Sequence, residues 1–200
     1  MTGEDASGSG SAASGSAPTA SGSAAVASES AASGSGSARL IVVMGVSASG
    51  KTSVARELAA RLGVDWRDAD DLHSPANVAK MAAGTPLTDE DRWPWLDAVG
   101  AELADGRAQG GRVIACSALR RVYRDRLRAA VPDLRFVHLD GSAELLQERA
   151  SARTGHYMPP SLLPSQLALL EPLEPDEPGL VLDVSASVEE LVAQALAWIG

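Results

Sequence analysis

The sequence predicts an α/β fold in which a parallel sheet is covered by helices on both faces. From residue 39 onward, short apolar runs rich in β-branched residues alternate with helical stretches. The apolar runs are continuous, as in strands that are buried on both faces. A Gly-containing turn joins the first strand to the first helix. Alternating strands and helices imply right-handed crossovers, and these make the strands parallel.

The individual elements follow in order along the chain. Strands are predicted over residues 40–44, 64–69, 112–116, 134–139 and 180–184. Helices are predicted over about residues 50–62, 76–83, 89–105, 120–130, 143–153, 162–170 and 188–199. Thr88 directly precedes the third helix and is its predicted N-cap. Asp91, three residues later, is in a capping-box-like position. Because ligands of such folds bind beyond the carboxyl ends of the strands, we expect the chemistry just after the first three strands.

The first 38 residues differ from the rest in composition. They consist almost wholly of Ser, Gly and Ala. Such side chains bury too little apolar surface to offset the backbone entropy that is lost on ordering. We therefore expect residues 1–38 to form a disordered tail and residues 39–200 to form one folded domain.

Charge and composition exclude several classes of protein. A net charge of −9 argues against broad binding to nucleic-acid backbones. The early charges are Glu4 and Asp5, the first Arg is at position 39, and no apolar run approaches the roughly 18 residues of a membrane span. The single Cys116 rules out an internal disulfide and is typical of a reducing compartment. We expect a soluble cytoplasmic protein without nucleic-acid or membrane partners.

Residues 45–52 (GVSASGKT) match the phosphate-loop pattern G-x-x-x-x-G-K-[ST] in full. A chance match in a chain of this length is on the order of 1 in 100, and here a strand precedes the motif and a helix follows it. In such a loop Lys51 bridges the β- and γ-phosphates of ATP, and the Thr52 hydroxyl binds Mg²⁺. The predicted nucleotide-binding residues are Gly45, Val46, Ser47, Ala48, Ser49, Gly50, Lys51, Thr52 and Ser53.

An acidic turn follows the second strand, where the γ-phosphate is expected to point. Asp68 and Asp70 lie in the run DADDLH. Phosphoryl transfer to a hydroxyl needs a carboxylate that orients the hydroxyl and accepts its proton, and a second carboxylate helps to hold Mg²⁺. The residues alone leave open which aspartate is the base, and a solvated turn that only caps a helix is the alternative.

Two arginines are candidates for a lid over the nucleotide. Arg149 and Arg153 lie four residues apart at the end of a predicted helix and share one face. Cations that closure brings in stabilise the charge on a transferring phosphoryl group, so both are predicted to be catalytic. A Gly/Pro-rich loop follows them, where a hinge is needed. The alternative is a solvated pair that interacts only with the helix dipole.

Longer blocks resemble the gluconokinase family of P-loop small-molecule kinases. They are DADDLH, residues 77–96 (NVAKMAAGTPLTDEDRWPWL), residues 116–125 (CSALRRVYRD), residues 155–158 (GHYM), and the segments LLPSQ and LEPL that follow. The resemblance extends from about residue 39 to the C-terminus. Two positions depart from it. Ala48 stands where Gly is frequent, and Ser74 stands where a His-Pro pair is frequent, with Pro75 one place later.

The resemblance implies a three-layer fold like that of the nucleoside monophosphate kinases, with strand order 2-3-1-4-5, a mobile lid and a homodimer. It implies transfer of the ATP γ-phosphoryl group to D-gluconate, feeding the pentose phosphate route. By position it assigns Asp70 as the base, with Asp68 nearer the metal. It assigns substrate contacts to His73, Arg92, Arg124 and His156, the arginines to the carboxylate and the histidines to hydroxyls.

Alternatives remain for these residues and for the function. Arg92 is also placed to pair with Asp89 on its own helix, and Arg124 has Asp125 and Asp133 nearby. Another small-metabolite kinase, acting on shikimate or a nucleotide, is the nearest rival function. A nucleotide-binding regulatory module without turnover is a rival from a different class. A GTPase is disfavoured, because the chain lacks an Asn-Lys-x-Asp block.

Overall fold

The computed structural model describes residues 39–152 and 159–200. Within this part of the chain one parallel sheet is formed by β1 (Arg39–Met44), β2 (Asp65–Asp68), β3 (Gly111–Ala115), β4 (Arg135–Asp140) and β5 (Gly179–Asp183). The order across the sheet is β2-β3-β1-β4-β5, and each neighbouring pair runs parallel. The predicted α/β class and strand order are confirmed. The predicted tail lies outside the described residues.

Helices connect the strands at nearly the predicted places. They are α1 (Lys51–Leu62), α2 (Pro75–Ala82), α3 (Asp89–Ala108), α4 (Arg121–Ala130), α5 (Ala143–Ala152), α6 (Leu163–Leu169) and α7 (Val188–Ile199), with short 3₁₀ turns at Ala69–Leu72 and Pro160–Leu162. The capping box is present, since Asp91 N–H donates to Thr88 Oγ1 and Thr88 N–H donates to Asp91 Oδ2. No helix in the described ranges combines the length and apolar character that a bilayer span requires.

The central strands are buried on both faces, as their continuous apolar runs predict. Alternate residues of β1 enter two separate cores. Ile41 and Val43 pack in the core that contains residues of α1 and α7. Leu40 and Val42 pack in the core that contains residues of α3 and α4. This two-sided burial holds the carboxyl ends of β1 and β3 rigidly side by side.

The second strand is shorter and more exposed than its predicted span of residues 64–69. β2 lies at one edge of the sheet, and its residues alternate between exposed and half-buried. It ends at Asp68, whose carboxylate accepts a hydrogen bond from Asp70 N–H and so begins the 3₁₀ turn. The end of β2 is therefore set by the hydrogen bond of the Asp68 side chain and not by the end of an apolar run.

His138 on β4 is a buried base whose pKa is lowered in the folded protein. The residue is 4% exposed, and neither ring nitrogen has a hydrogen-bond partner in the described residues. Burial lowers the pKa of His138 below its ordinary value of 6.5, an effect that Asp140 opposes and Arg124 reinforces. Protonation of this side chain therefore favours the unfolded chain.

The free energy of unfolding is expected to fall as the pH drops below about 6.5, because the unfolded chain then binds a proton at His138 that the folded chain does not. The variant His138→Leu lacks this titration. It is expected to lose less stability than the wild type between about pH 8 and about pH 5. Urea unfolding over that range measures the stability of both proteins, and an equal pH dependence would contradict the lowered pKa of His138 in the folded protein.

Candidate active site

The phosphate loop connects β1 to α1 in a conformation that depends on glycine. Gly45 has φ +140°, and a Cβ there would lie 2.6 Å from Leu139 O, so no larger residue fits. Gly50 has φ 93° and precedes the first turn of α1. Ala48 adopts a left-handed φ of 63°, a region that glycine reaches more easily. The loop thus reaches its conformation with an alanine, at a cost of about 1–2 kcal/mol.

The first residues of α1 connect the loop to the acidic turn. Lys51 Nζ donates to Val46 O at 2.8 Å, which holds the ammonium group over the loop. Thr52 Oγ1 donates to Asp68 Oδ2 at 2.8 Å, and Asp68 Oδ1 accepts from Asp70 N–H at 3.1 Å. Both carboxylate oxygens of Asp68 therefore make hydrogen bonds, one to the helix and one within the turn.

Two clefts meet at Lys51 and Thr52. The first, which we call the acidic cleft, lies beside the acidic turn and opens to solvent. Its lining residues are Ser47, Lys51, Thr52, Asp68, Asp70, His73, Met81, Pro86, Leu87, Arg92, Trp95, Ser117, Leu119, Leu162, Ser165 and Gln166. The second, which we call the loop cleft, is lined by Ala48, Gly50, Lys51, Thr52, Ser53 and Arg149.

His73 and Trp95 form one wall of the acidic cleft. Their rings stack with centroids 4.4 Å apart and planes inclined by 12°. Trp95 Nε1 donates to Ala69 O at 2.7 Å and ties the acidic turn to α3. Burial, and then the nearby Arg92 charge, lower the pKa of His73 from 6.5 to about 4. The imidazole is therefore neutral near pH 7 and offers one donor and one acceptor nitrogen.

Arg92 lies near Asp89, the alternative partner named above, and also lines the acidic cleft. Its side chain is 13% exposed. Nη1 donates to Tyr123 Oη at 3.2 Å and lies 4.0 Å from Asp89 Oδ1. Tyr123 Oη in turn donates to Asp89 Oδ1 at 2.5 Å. The pairing with Asp89 thus orients a guanidinium group that also faces the cleft.

Arg124 does not reach either cleft, contrary to the substrate contact expected of it. Its side chain is fully buried and pairs with Glu177, Nε with Oε1 at 2.6 Å and Nη2 with Oε2 at 2.8 Å. Its other N–H groups donate to the carbonyls of Ala118, Leu119, Glu171 and Pro172. Burial is the largest single influence on the pKa of Glu177 and raises it, but the hydrogen bonds from Arg124 and from Glu174 N–H, together with the charges of Arg124 and Arg121, leave the pKa below its usual value. Arg124 therefore holds the segment after α6 against α4.

The predicted lid residues are only partly described. Arg149 is on α5, lines the loop cleft and donates through Nη2 to Val184 O at 3.0 Å. The predictions for Arg153 and His156 concern positions outside the described residues. The face that Arg149 and Arg153 are expected to share therefore stays a prediction.

Several residues that line the acidic cleft are not among the predicted site residues. Gln166 on α6 is one of them, and its Oε1 accepts from Ser47 N–H at 2.6 Å. Met81, Leu87 and Leu162 form a small apolar cluster at the same cleft. The only signal for these residues was their place inside the family-like blocks, because their contacts join distant parts of the chain.

Comparison with known proteins agrees with this geometry. The AAA domain family matches residues 40–173. The gluconokinase of Gluconobacter oxydans (strain 621H) is 52% identical over 141 residues, which cover 70% of this chain and 79% of that protein. The thermoresistant gluconokinase of Escherichia coli (strain K12) is 41% identical over 162 residues, covering 80% and 93%.

A solved structure extends the similarity to three dimensions. The crystal structure of a gluconokinase from Sinorhizobium meliloti 1021 superposes with a TM-score of 0.74 at 47% identity. The match covers 82% of this chain and 92% of that one. These similarities agree with the sequence blocks, the phosphate loop and the strand order. The chain belongs to the gluconokinase family of P-loop kinases.

Proposed function

We propose that the protein phosphorylates D-gluconate with ATP and releases 6-phospho-D-gluconate and ADP. The observation that carries the proposal is the meeting of the two clefts at Lys51 and Thr52. ATP bound along the loop cleft presents its γ-phosphate at this junction. An acceptor in the acidic cleft then lies in line with the bond that breaks.

The nucleotide is held by the loop and by Mg²⁺. Backbone N–H groups of the loop and the first turn of α1 bind phosphate oxygens, and Lys51 spans the β- and γ-phosphates. When bound, Mg²⁺ neutralises charge on those phosphates. Thr52 and Asp68 supply a hydroxyl and a carboxylate, the oxygen ligands that Mg²⁺ prefers.

A small protein contribution to the metal site suits this ion. Within residues 39–152 and 159–200, no group of three or more His, Cys, Asp or Glu side chains is placed to hold a metal. Mg²⁺ in kinases keeps several waters and binds substrate phosphates, so one or two protein ligands suffice.

Asp70 is the proposed base. Asp68 accepts a hydrogen bond from the hydroxyl of Thr52, the other proposed Mg²⁺ ligand, which favours the metal side for Asp68. Asp70 lines the same cleft and orients the 6-hydroxyl of gluconate. The hydroxyl oxygen bonds to the γ-phosphorus, the bond to the β,γ-bridging oxygen breaks, ADP leaves with that electron pair, and Asp70 takes the hydroxyl proton.

Arg92 and His73 bind the acceptor in this proposal. The guanidinium of Arg92 suits a carboxylate, and Tyr123 and Asp89 fix its orientation. The neutral His73 suits a sugar hydroxyl. Arg149, with Arg153 and His156 in the proposed lid, adds charge and contacts on closure, and closure also excludes water.

Arg92→Ala is expected to raise the KM for D-gluconate by about 10- to 100-fold while kcat changes only a few-fold, because the carboxylate is unchanged by the reaction. Steady-state kinetics at saturating ATP measures both constants. Arg56→Ala, on the exposed face of α1, is the matched control. A fall in kcat with an unchanged KM for gluconate would instead place Arg92 at the transferring phosphoryl group.

The proposal extends to the tail, the oligomer and the location. The enzyme acts as a cytoplasmic homodimer, as the resemblance implies, and the tail predicted over residues 1–38, which lies outside the described residues, has no part in catalysis. Sedimentation at micromolar concentration tests the assembly, and a monomer under those conditions contradicts it.

Deletion of residues 1–38 is expected to leave kcat and both KM values within about two-fold of the full-length enzyme, because the proposed site lies wholly downstream. Side-by-side kinetics of the two proteins checks this. A substantial loss of kcat in the shortened protein would give the tail a part in catalysis.

The function itself is tested by a coupled ADP-release assay with ATP and Mg²⁺. The acceptors are D-gluconate, related aldonates, shikimate and nucleoside monophosphates. Saturable turnover that is strongest with D-gluconate supports the proposal. Turnover with another acceptor keeps the mechanism but replaces the substrate, and ATP binding without turnover favours a regulatory module.

A further inference from the structure

Ser117 lies just beyond the carboxyl end of β3, between the acidic turn and the phosphate loop. In the sheet, Ala115 of β3 is paired with Asp68 on one side and with Val43 on the other. Two residues later, Ser117 O accepts a hydrogen bond of 3.3 Å from the N–H of Gly45, the first residue of the loop. Ser117 therefore lies where the strand order brings the proposed base and the proposed nucleotide site together.

The hydroxyl of Ser117 is open to a ligand. The residue is half-buried and lines the acidic cleft together with Lys51, Thr52 and Asp70. Within the described ranges of the chain, no hydrogen bond holds this hydroxyl. Its oxygen is also not one of the unpaired side-chain atoms that burial shuts off from solvent. A group that enters the acidic cleft can therefore accept a hydrogen bond from Ser117 without displacing a protein partner.

The turn that carries Ser117 has a strained backbone that its surroundings hold in place. Ala118 has a left-handed φ of 41° and is fully buried. Such strain persists only where the surrounding structure fixes the backbone. Arg124 Nη1 donates to Ala118 O at 3.4 Å and to Leu119 O at 3.3 Å. Glu171 N–H donates to Leu119 O at 2.8 Å, so the turn presents Ser117 to the cleft in a fixed position.

A fixed hydroxyl donor at this place suits the transferred phosphoryl group. In the proposed reaction this group passes between the phosphate loop and the acidic turn, and its non-bridging oxygens carry negative charge. Preorganised donors that face such oxygens stabilise the transition state. Lys51 is one such group in the cleft, and the Ser117 hydroxyl can supply a second donor.

We infer that Ser117 is a catalytic residue whose hydroxyl donates a hydrogen bond to a non-bridging oxygen of the phosphoryl group during its transfer. The inference rests on the proposed function for the transfer of a phosphoryl group, and it does not depend on which acceptor is phosphorylated. It also gives the buried Arg124 a place in the mechanism, because Arg124 supports the turn that carries the donor.

Ser117→Ala removes the donor with little change in volume. We expect kcat to fall by about 10- to 100-fold, because a hydrogen bond to a charged group is lost. The KM values for ATP and for the acceptor are each expected to stay within about three-fold, because the bond acts mainly in the transition state. Ser117→Thr keeps a hydroxyl and is expected to retain kcat within about five-fold of the wild type. Ser151→Ala, on the exposed surface of α5, is the control and is expected to match the wild type.

A mimic of the transferring phosphoryl group gives a readout that needs no turnover. Calorimetry measures the binding of ADP with Mg²⁺ and aluminium fluoride in the presence of the acceptor, and the binding of ADP with Mg²⁺ alone. We expect Ser117→Ala to weaken binding of the mimic by about the factor that kcat loses, and to leave binding of ADP unchanged. Thermal melts of each variant check folding.

Two results overturn the inference. One is a Ser117→Ala variant with wild-type kcat and wild-type binding of the mimic. The other is a raised KM for the acceptor with an unchanged kcat, since this places the hydroxyl at the acceptor instead of the phosphoryl group. If the wild type prefers an acceptor other than D-gluconate, only the proposed substrate fails, and the Ser117 variants are compared with that acceptor.

Discussion

Asp70→Asn is expected to lower kcat by at least about 10²-fold, which corresponds to about 2.7 kcal/mol of transition-state stabilisation. The amide keeps the size of the side chain and loses the negative charge that accepts the hydroxyl proton. Asp70 lines the acidic cleft beside Lys51 and Thr52, where the hydroxyl and the γ-phosphate meet in the proposed mechanism. The KM values for ATP and gluconate are expected to change little, because the lost interaction belongs to the transition state.

The neighbouring aspartates provide the controls for this result. Asp71 is exposed in the same 3₁₀ turn and is not part of the cleft lining, so Asp71→Asn is expected to retain wild-type kcat. Asp68→Asn is expected to raise the Mg²⁺ concentration needed for half-maximal activity, because Asp68 bonds to the Thr52 hydroxyl. If Asp70→Asn kept a near-normal kcat, and Asp68→Asn lost kcat that added Mg²⁺ did not restore, Asp68 would be the base and Asp70 would lie nearer the metal.

Lys51→Ala is the second large effect, again a loss of at least about 10²-fold in kcat. The ammonium group is held over the loop by Val46 O and lines both clefts, so it is placed to neutralise charge as the phosphoryl group moves. Removal of a preorganised cation from a transferring phosphate costs several kcal/mol that solvent does not restore. Stopped-flow or steady-state ADP release at saturating substrates measures the loss.

The chain offers a matched control, because it has one other lysine. Lys80 on α2 pairs with Asp91 on the exposed surface and does not line the clefts. Lys80→Ala is expected to keep kcat within about two-fold, since an exposed ion pair contributes little. Comparable losses in both lysine variants would point to a general destabilisation rather than to a missing cation at the phosphates.

Much of the fold was predictable because its signals are local. The apolar run of β1 and the glycines at positions 45 and 50 define the loop and its setting within a dozen residues. The capping box at Thr88 places the start of α3 in the same way. Alternation of strands and helices then limits the sheet to few topologies. The strand order 2-3-1-4-5 itself came from the resemblance to a family rather than from these patterns.

The rest of the site depends on contacts between distant residues. The sequence offers Asp125 and Asp133 as ion-pair partners of Arg124, because both are near it in the chain. In the structure its partner is Glu177, 53 positions later. Gln166 and Ser47 are farther apart still. A basic residue in a helix has no local signal that distinguishes a buried structural ion pair from a substrate contact, because burial is a property of the packed fold.

The central claim is that the γ-phosphoryl group of ATP moves to the 6-hydroxyl of D-gluconate. ³¹P NMR of the wild-type enzyme with ATP, Mg²⁺ and D-gluconate tests it most directly, because the spectrum identifies the phosphorylated product. We predict that the γ-phosphate resonance is replaced by equal amounts of a 6-phosphogluconate phosphomonoester and ADP. Inorganic phosphate as the only new product, or no change in the spectrum, would contradict the claim.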